Sequence, residues 1–140
     1  MSLTALRGRV DILLVIAAGG ALGSLGRWGV NQALPPAASG FPWATLLENV
    51  TGALALGALM TLIVEVWPPN RYLRPFLGIG VLGGYTTFST YMLDTHALLV
   101  AGRPGPAAAY LFGTVLSGLL AVWLGIVAAR ALGLSLRRRR

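Results

Sequence analysis

The 140-residue chain has no cysteine and no lysine, a single histidine, and four carboxylates: Asp11, Glu48, Glu65 and Asp94. Without cysteine, neither a disulfide frame nor a thiolate metal site can form, and the redox state of the compartment leaves no mark. His96 alone excludes a zinc site built on paired histidines. With no Ser-His-acid set and no metal cluster, enzyme chemistry finds no candidate residues. Charge of either sign is scarce: 11% of residues are charged, against about 25% in an ordinary soluble domain. A solvated shell is therefore missing. What is abundant is apolar: 56% of residues are hydrophobic and the mean hydropathy is +0.74, too much to hide inside one small globule. The reading is a membrane protein with the bilayer as its solvent.

Four apolar segments stand out, at about 10–34, 43–67, 75–101 and 107–131, each near or above the roughly 20 residues that a spanning helix requires. Proline and glycine punctuate the breaks in "LPPAASGFP" (34–42), "PPNRYLRP" (68–75) and "GRPGP" (102–106). Short connections make consecutive helices antiparallel neighbours. The expected fold is all-α: one membrane domain, 1–140, of four transmembrane helices, with a basic cytoplasmic tail at 132–140. The first apolar run continues through "AAGGALGSLG" without a cleavage signature, so the first helix is expected to stay.

The net charge of +7 does not point to nucleic acid, because the arginines flank apolar segments instead of interleaving with aromatics on a polar face. They read as topology signals. Arg7, Arg9, Arg71, Arg74, Arg130 and Arg137 to Arg140 fall on the side of the N-terminus, second loop and C-terminus, while Arg27 and Arg103 fall on the other. The positive-inside rule then places both termini in the cytoplasm of a multi-pass protein of the cell membrane.

Some residues do not suit lipid. The third segment carries "GVLGGYTTFSTY", Gly80 to Tyr91, where two adjacent glycines precede a run of hydroxyls. Small residues permit close helix packing and hydroxyls bond back to carbonyls, but Gly83-Gly84 together lose helix propensity, and the expectation is a helix broken near its middle with freed carbonyls that suit cations. Arg27, Glu48 and Asp94 share a level near the outer ends of the first three helices; an ion pair between Arg27 and one of the acids, or a vestibule, accounts for them. Glu65 is expected to be an interfacial partner beside Arg71 and Arg74. Asn49 is either a packing amide or a donor aimed at an anion, with packing favoured from the residues alone. Tyr110 and Thr114, four apart, share one face of the fourth helix, a stripe that is more often glue between helices than a pathway.

Taken together, "GGALGSLGRW", "FPWATLLENVTG", "GGYTTFSTYMLD" and the Tyr-x-x-x-Thr stripe resemble the fluoride-specific channel family known as Fluc or CrcB, over nearly the whole chain. The resemblance implies an antiparallel dimer of four-helix subunits. Its two narrow pores pass fluoride out of the cell passively, and a structural, untransported sodium ion sits at the centre. It implies that carbonyls of Gly83 and Thr86 hold the sodium, and that Asn49, Phe88, Ser89, Thr90, Tyr91, Tyr110 and Thr114 line the pore. Two departures stand out: Tyr91 replaces a second phenylalanine, adding a hydroxyl that either coordinates the ion or narrows the pore, and Gly118 stands where the track often has a serine.

Two other readings compete. A small multidrug-type exporter also has four short helices, but needs a membrane-embedded carboxylate in its first helix, which here offers only Asp11 at its start. A non-conducting partner subunit of a fluoride channel is the other. The partner question follows from charge: nine arginines against two fix one orientation, so the dimer partner is either this chain itself or an inverted paralogue, and the bias favours the paralogue.

Overall fold

A computed structural model describes residues 3–35 and 40–137, with side chains over 9–35 and 40–133. Positions 36–39 of the first expected turn and 138–140 of the expected tail lie outside the described residues. Every regular element among the described residues is helical: α1 (Leu3–Ala33), α2 (Trp43–Thr61), α3 (Leu82–Tyr85), α4 (Phe88–Val100) and α5 (Pro104–Arg137). Wider π-helical turns extend α2 over Leu62–Val66 and lead into α3 over Arg74–Val81. Among the described residues, three helices are long and apolar enough to cross a membrane: Arg9–Ala33, Trp43–Val66 and Pro104–Gly133. The segment expected at 75–101 is in two helical pieces, neither long enough alone.

Two boundaries differ from the sequence expectation for local reasons. "GRPGP" reads as a five-residue break, yet α5 begins at Pro104, because the fixed φ of proline suits a first turn whose N–H groups have no partners anyway. The turn itself is only Ala101 to Arg103. There the Gly102 N–H bonds the Leu99 carbonyl and the Arg103 N–H bonds the Leu98 carbonyl, both at 3.0 Å, with Gly102 at φ 70°. This is the glycine-terminated helix end that satisfies the last carbonyls.

The second difference concerns Gly83 and Gly84. They do not break the helix; both lie within α3. The extended residues are Thr86 (φ −82°, ψ 158°) and Thr87 (φ −149°, ψ 124°). Gly84 is glycine for another reason: a Cβ there would run into the backbone of Gly20. Gly83 is exposed, and a Cβ there would meet nothing.

Backbone contact is what joins the helices, since in lipid there is little hydrophobic gain from bringing apolar faces together. Gly19 and Gly23 of α1, four apart on one face, lie on Phe76, Gly80 and Val81. α1 therefore runs alongside the Arg74–Tyr85 stretch in the same direction. Gly57 of α2 sits against the backbone of Val122, and Gly125 of α5 against Leu54 and Ala58. Large side chains face outward instead: Leu14, Trp28, Val64, Phe112, Leu116, Leu119 and Trp123 are all more than half exposed, as expected of a surface solvated by lipid.

Two ion pairs fasten one end. Arg71 reaches both oxygens of Asp11, at 3.2 and 2.9 Å, and Tyr72 donates to Asp11 at 2.8 Å; that last bond raises the pKa of the Tyr72 hydroxyl above its ordinary value. Arg130 clamps Glu65 through Nε and Nη2 at 3.1 and 2.8 Å. Glu65 is thus held by the end of α5, a partner 65 residues away in the sequence that the grouping with Arg71 and Arg74 did not name.

Gly57→Leu is expected to lower the stability of the detergent-solubilised protein by about 2 kcal/mol or more, because overpacking here means pushing apart two backbones. Gly29→Ala, where a Cβ meets nothing, is expected to be close to neutral. Unfolding followed by circular dichroism measures both. Equal stabilities would show that backbone contact is not what holds α2 to α5.

Candidate functional site

Extending Thr86 and Thr87 leaves backbone groups that a helix would have satisfied, and at membrane depth each must find a partner. Asn49 of α2 supplies them for Thr87: its Nδ2 donates to the Thr87 carbonyl at 3.0 Å and its Oδ1 accepts from the Thr87 N–H at 2.9 Å. The Thr87 side chain then caps α4, its Oγ1 accepting from the Thr90 N–H at 3.2 Å, as threonine does at a helix N-terminus. Thr86 closes the other side, its N–H and its hydroxyl both donating to the Leu82 carbonyl at 2.9 Å. Its methyl lies over Gly52, where a Cβ would collide with it.

Carbonyls just before the break are freed by this arrangement. A continuous helix would give the Thr87 N–H to the Gly83 carbonyl, but that N–H is on Asn49. It would give the Thr90 N–H to the Thr86 carbonyl, but that N–H is on Thr87 Oγ1. Gly83 and Thr86, the two residues the resemblance named for sodium, are therefore among those whose helical acceptor roles lapse, together with Gly84 and Tyr85, whose helical donors would be the Phe88 and Ser89 N–H groups of the first turn of α4. Main-chain carbonyls are hard oxygen donors, the ligand type that suits a hard cation.

Next to the extended pair is a cleft of about 280 Å³ lined by Asn49, Thr86, Thr87, Phe88, Tyr91, Thr114 and Val115. It brings together five of the residues singled out in the sequence. Phe88 is 75% exposed, the first residue of α4, with its ring 5.8 Å from that of Tyr91. Tyr91 is buried, and its hydroxyl donates to the Leu111 carbonyl at 2.6 Å. That hydroxyl is therefore turned to the α5 backbone, away from both roles considered for it. Behind Tyr91 the rings continue to Tyr110 at 5.4 Å and from there to Phe41 at 5.5 Å, edge to face. Such contacts fix ring orientation through the ring quadrupole.

Of the remaining residues, Tyr110 is fully buried and donates to Asp94 Oδ2 at 3.3 Å, while Thr114 bonds back to the Tyr110 carbonyl at 2.7 Å. Ser89 is exposed, 3.3 Å from Thr87 Oγ1. Gly118 has open space beside it.

A second cavity, of about 210 Å³, is lined by Asn31, Phe41, Trp43, Thr45, Thr90 and Asp94 among others. Asp94 accepts from Thr45 at 2.8 Å. Glu48 is completely buried; its Oε1 accepts from Asn31 at 2.7 Å and its Oε2 has no hydrogen-bond partner among the described residues. Arg27 makes no ion pair with Glu48 or Asp94, so the pairing considered for these residues is not formed: Asn31, one turn further along α1, takes the Glu48 carboxylate and also bonds the Arg27 carbonyl at 3.0 Å.

Three residues that matter here were missed in the sequence. Asn31 and Thr45 carry no motif. Thr87 did leave a signal: a threonine immediately before an apolar-periodic stretch marks a helix start, and "TFSTYMLDTHALLV" begins with one.

A net count of protons shows what the clefts offer an anion. Thr86, Thr87, Tyr91, Tyr110 and Thr114 each spend their hydroxyl proton inside the protein. Left over are the second N–H of Asn49, the Thr90 hydroxyl proton, the first N–H groups of α4 at the positive end of its dipole, and the exposed ring edge of Phe88.

Asn49→Ala is expected to cost about 2 kcal/mol, the penalty of leaving buried backbone groups without partners, and to speed hydrogen exchange at the Thr87 amide. Asn49→Asp, which keeps an acceptor for the Thr87 N–H, is expected to restore that protection. Slow exchange at Thr87 in Asn49→Ala would show that something else holds the extended pair.

Similarity to known proteins points one way. The family model described as CrcB-like protein, Camphor Resistance (CrcB), matches residues 14–126. The chain is 50% identical over 119 residues to fluoride-specific ion channel FluC 2 of Nocardia farcinica, covering 85% of each chain. It is 44% identical over 124 residues to fluoride-specific ion channel FluC 1 of Streptomyces coelicolor, covering 89% of this chain and 80% of that one. To fluoride-specific ion channel FluC of Rhodospirillum centenum it is 41% identical over 125 residues, covering 86% of this chain and 97% of that one.

Proposed function

This chain belongs to the CrcB-like protein family, and on that premise we propose that it is a fluoride-selective channel subunit that lets fluoride leave the cell passively. The observation that carries the reading is the identity to proteins named fluoride-specific ion channels across most of both chains. The cleft beside Thr86 and Thr87 supports it: a small, strongly hydrated anion needs many donors, and the amide, hydroxyl, helix-end and ring-edge hydrogens there supply them without a buried lysine that would trap the ion. A channel is not an enzyme class, in keeping with the absence of a catalytic set. Neither the multidrug-exporter reading nor the non-conducting one gains support from the relatives.

The finer parts of the proposal rest on the freed carbonyls and on charge. The third span is a membrane helix broken at Thr86–Thr87. Gly83 and Thr86 carbonyls from two antiparallel subunits hold a structural sodium ion between them. The ion's role is cohesion, and fluoride does not pass through it. Gly83 faces open space in the single chain, as a position on a two-fold axis must before the second subunit arrives. Both termini are cytoplasmic, by the arginine bias.

Liposomes containing the active assembly are expected to lose fluoride, and not chloride, under a gradient. Phe88→Ile is expected to stop the flux while leaving assembly intact. Gly83→Val is expected to stop it by preventing assembly, and Thr86→Ser to leave it unchanged because the ligand is main-chain oxygen. Ion-selective electrodes and cross-linking read these separately, and equal chloride loss would overturn the channel assignment.

The partner follows from arginine placement. An antiparallel homodimer needs the chain to insert both ways, which nine basic residues against two oppose. The proposed partner is therefore an inverted paralogue. Cysteines placed singly at position 103 and after position 140 are expected to differ when labelled from outside the cell, with only the first reacting. Substantial labelling of both would establish dual insertion and a homodimer.

A further inference from the structure

The end fastened by the two ion pairs carries more positive charge than its carboxylates can use. Asp11 already accepts from Arg71 and Tyr72 and from the Ile12 N–H. Glu65 is already clamped by Arg130. Arg9 and Arg74 are exposed and make no ion pair among the described residues. This surplus meets the membrane at a defined depth. At about 1.5 Å per residue the 34-residue α5 is roughly 50 Å long, well beyond a hydrocarbon core of about 30 Å, so its last turns stand at headgroup level. Trp67 and Tyr72, 38% and 39% exposed, lie in the connection at that end, where amphipathic rings mark the interface. Arg71 is also stacked over Tyr72 at 4.9 Å, which leaves the phosphate layer to Arg9 and Arg74.

We propose that this rim is a binding surface for anionic phospholipid headgroups, with Arg9 and Arg74 as its uncompensated phosphate ligands. Arginine suits the task because its planar donor fork matches phosphate oxygens in pairs. A zwitterionic headgroup offers the same phosphate, but it also carries its own cation, so the surface discriminates by net charge. The occupant is a lipid and not a nucleic acid because the charge rings the end of a lipid-solvated bundle at headgroup depth. The proposal is independent of what the channel conducts.

The full chain, purified in mild detergent and exposed to equal amounts of phosphatidylglycerol and phosphatidylcholine, is the test, with retained lipid counted by native mass spectrometry. Phosphatidylglycerol is expected to be retained preferentially, and the preference to fall as salt rises. Arg9→Gln with Arg74→Gln is expected to weaken retention by roughly fivefold per arginine. Arg103→Gln, at the opposite end, is expected to change nothing. Equal retention of the two lipids by the unaltered protein, or an equal loss from Arg103→Gln, would overturn the proposal.

Discussion

The pair of hydrogen bonds between the Asn49 amide and the Thr87 backbone is the constraint from which the candidate site follows. An extended dipeptide inside a bundle that lipid surrounds has nowhere to send its N–H and C=O except to protein. Asn49 meets both needs with one side chain, as a neighbouring strand would. Thr87 can then cap α4, Phe88 can open that helix facing the cleft, and the carbonyls of Gly83 and Thr86 are released. A carboxylate at position 49 would lack the donor, and a hydroxyl would lack the reach to serve both groups.

The glycine contacts belong to the same arrangement. With Gly84 on Gly20 and Gly52 beneath Thr86, the extended pair sits in a gap only as wide as two backbones and a methyl. The tight packing of α1 against Arg74–Tyr85 and of α2 against α5 therefore sets how far Asn49 is from Thr87. Aromatic contacts do the equivalent work on the outer side, where Phe88, Tyr91, Tyr110 and Phe41 follow one another at 5.4–5.8 Å. Tyr91 is pinned by Leu111, so Phe88 is the ring of this row left exposed over the cleft.

Much of this was legible in the sequence, and what was not has a physical reason. Apolar length gave four segments, since hydropathy depends on composition alone. The interruption was expected from Gly83 and Gly84, but helix propensity is a weak guide where tertiary contact decides; the glycines serve close approach, and Asn49 from another helix decides where the chain extends. For Arg27, Glu48 and Asp94 the sequence suggested an ion pair or a vestibule, yet their hydrogen-bond partners are Asn31, Thr45 and Tyr110, neutral groups that a search for opposite charges passes over. Glu65 and Arg130 are far apart in sequence, so only the packing of α2 on α5 joins them.

The proton count refines what a polar lining means. Hydroxyls along a membrane helix are usually read as donors waiting for an anion, but Thr86 and Thr114 give their single protons to backbone carbonyls, and Thr87 gives its proton to Thr90. Toward the cleft they present lone pairs. An anion placed beside them would either break a bond worth about 1 kcal/mol net at each or lean on groups whose hydrogens are free. Those are the second Asn49 N–H, the Thr90 hydroxyl, the unsatisfied N–H groups of the first turn of α4, and the edge of Phe88. They cluster around the start of α4, at the interrupted third segment, and not along the Tyr110–Thr114 stripe. The stripe instead holds α5 in register with α4 and carries the buried tyrosine against which the row of rings is set.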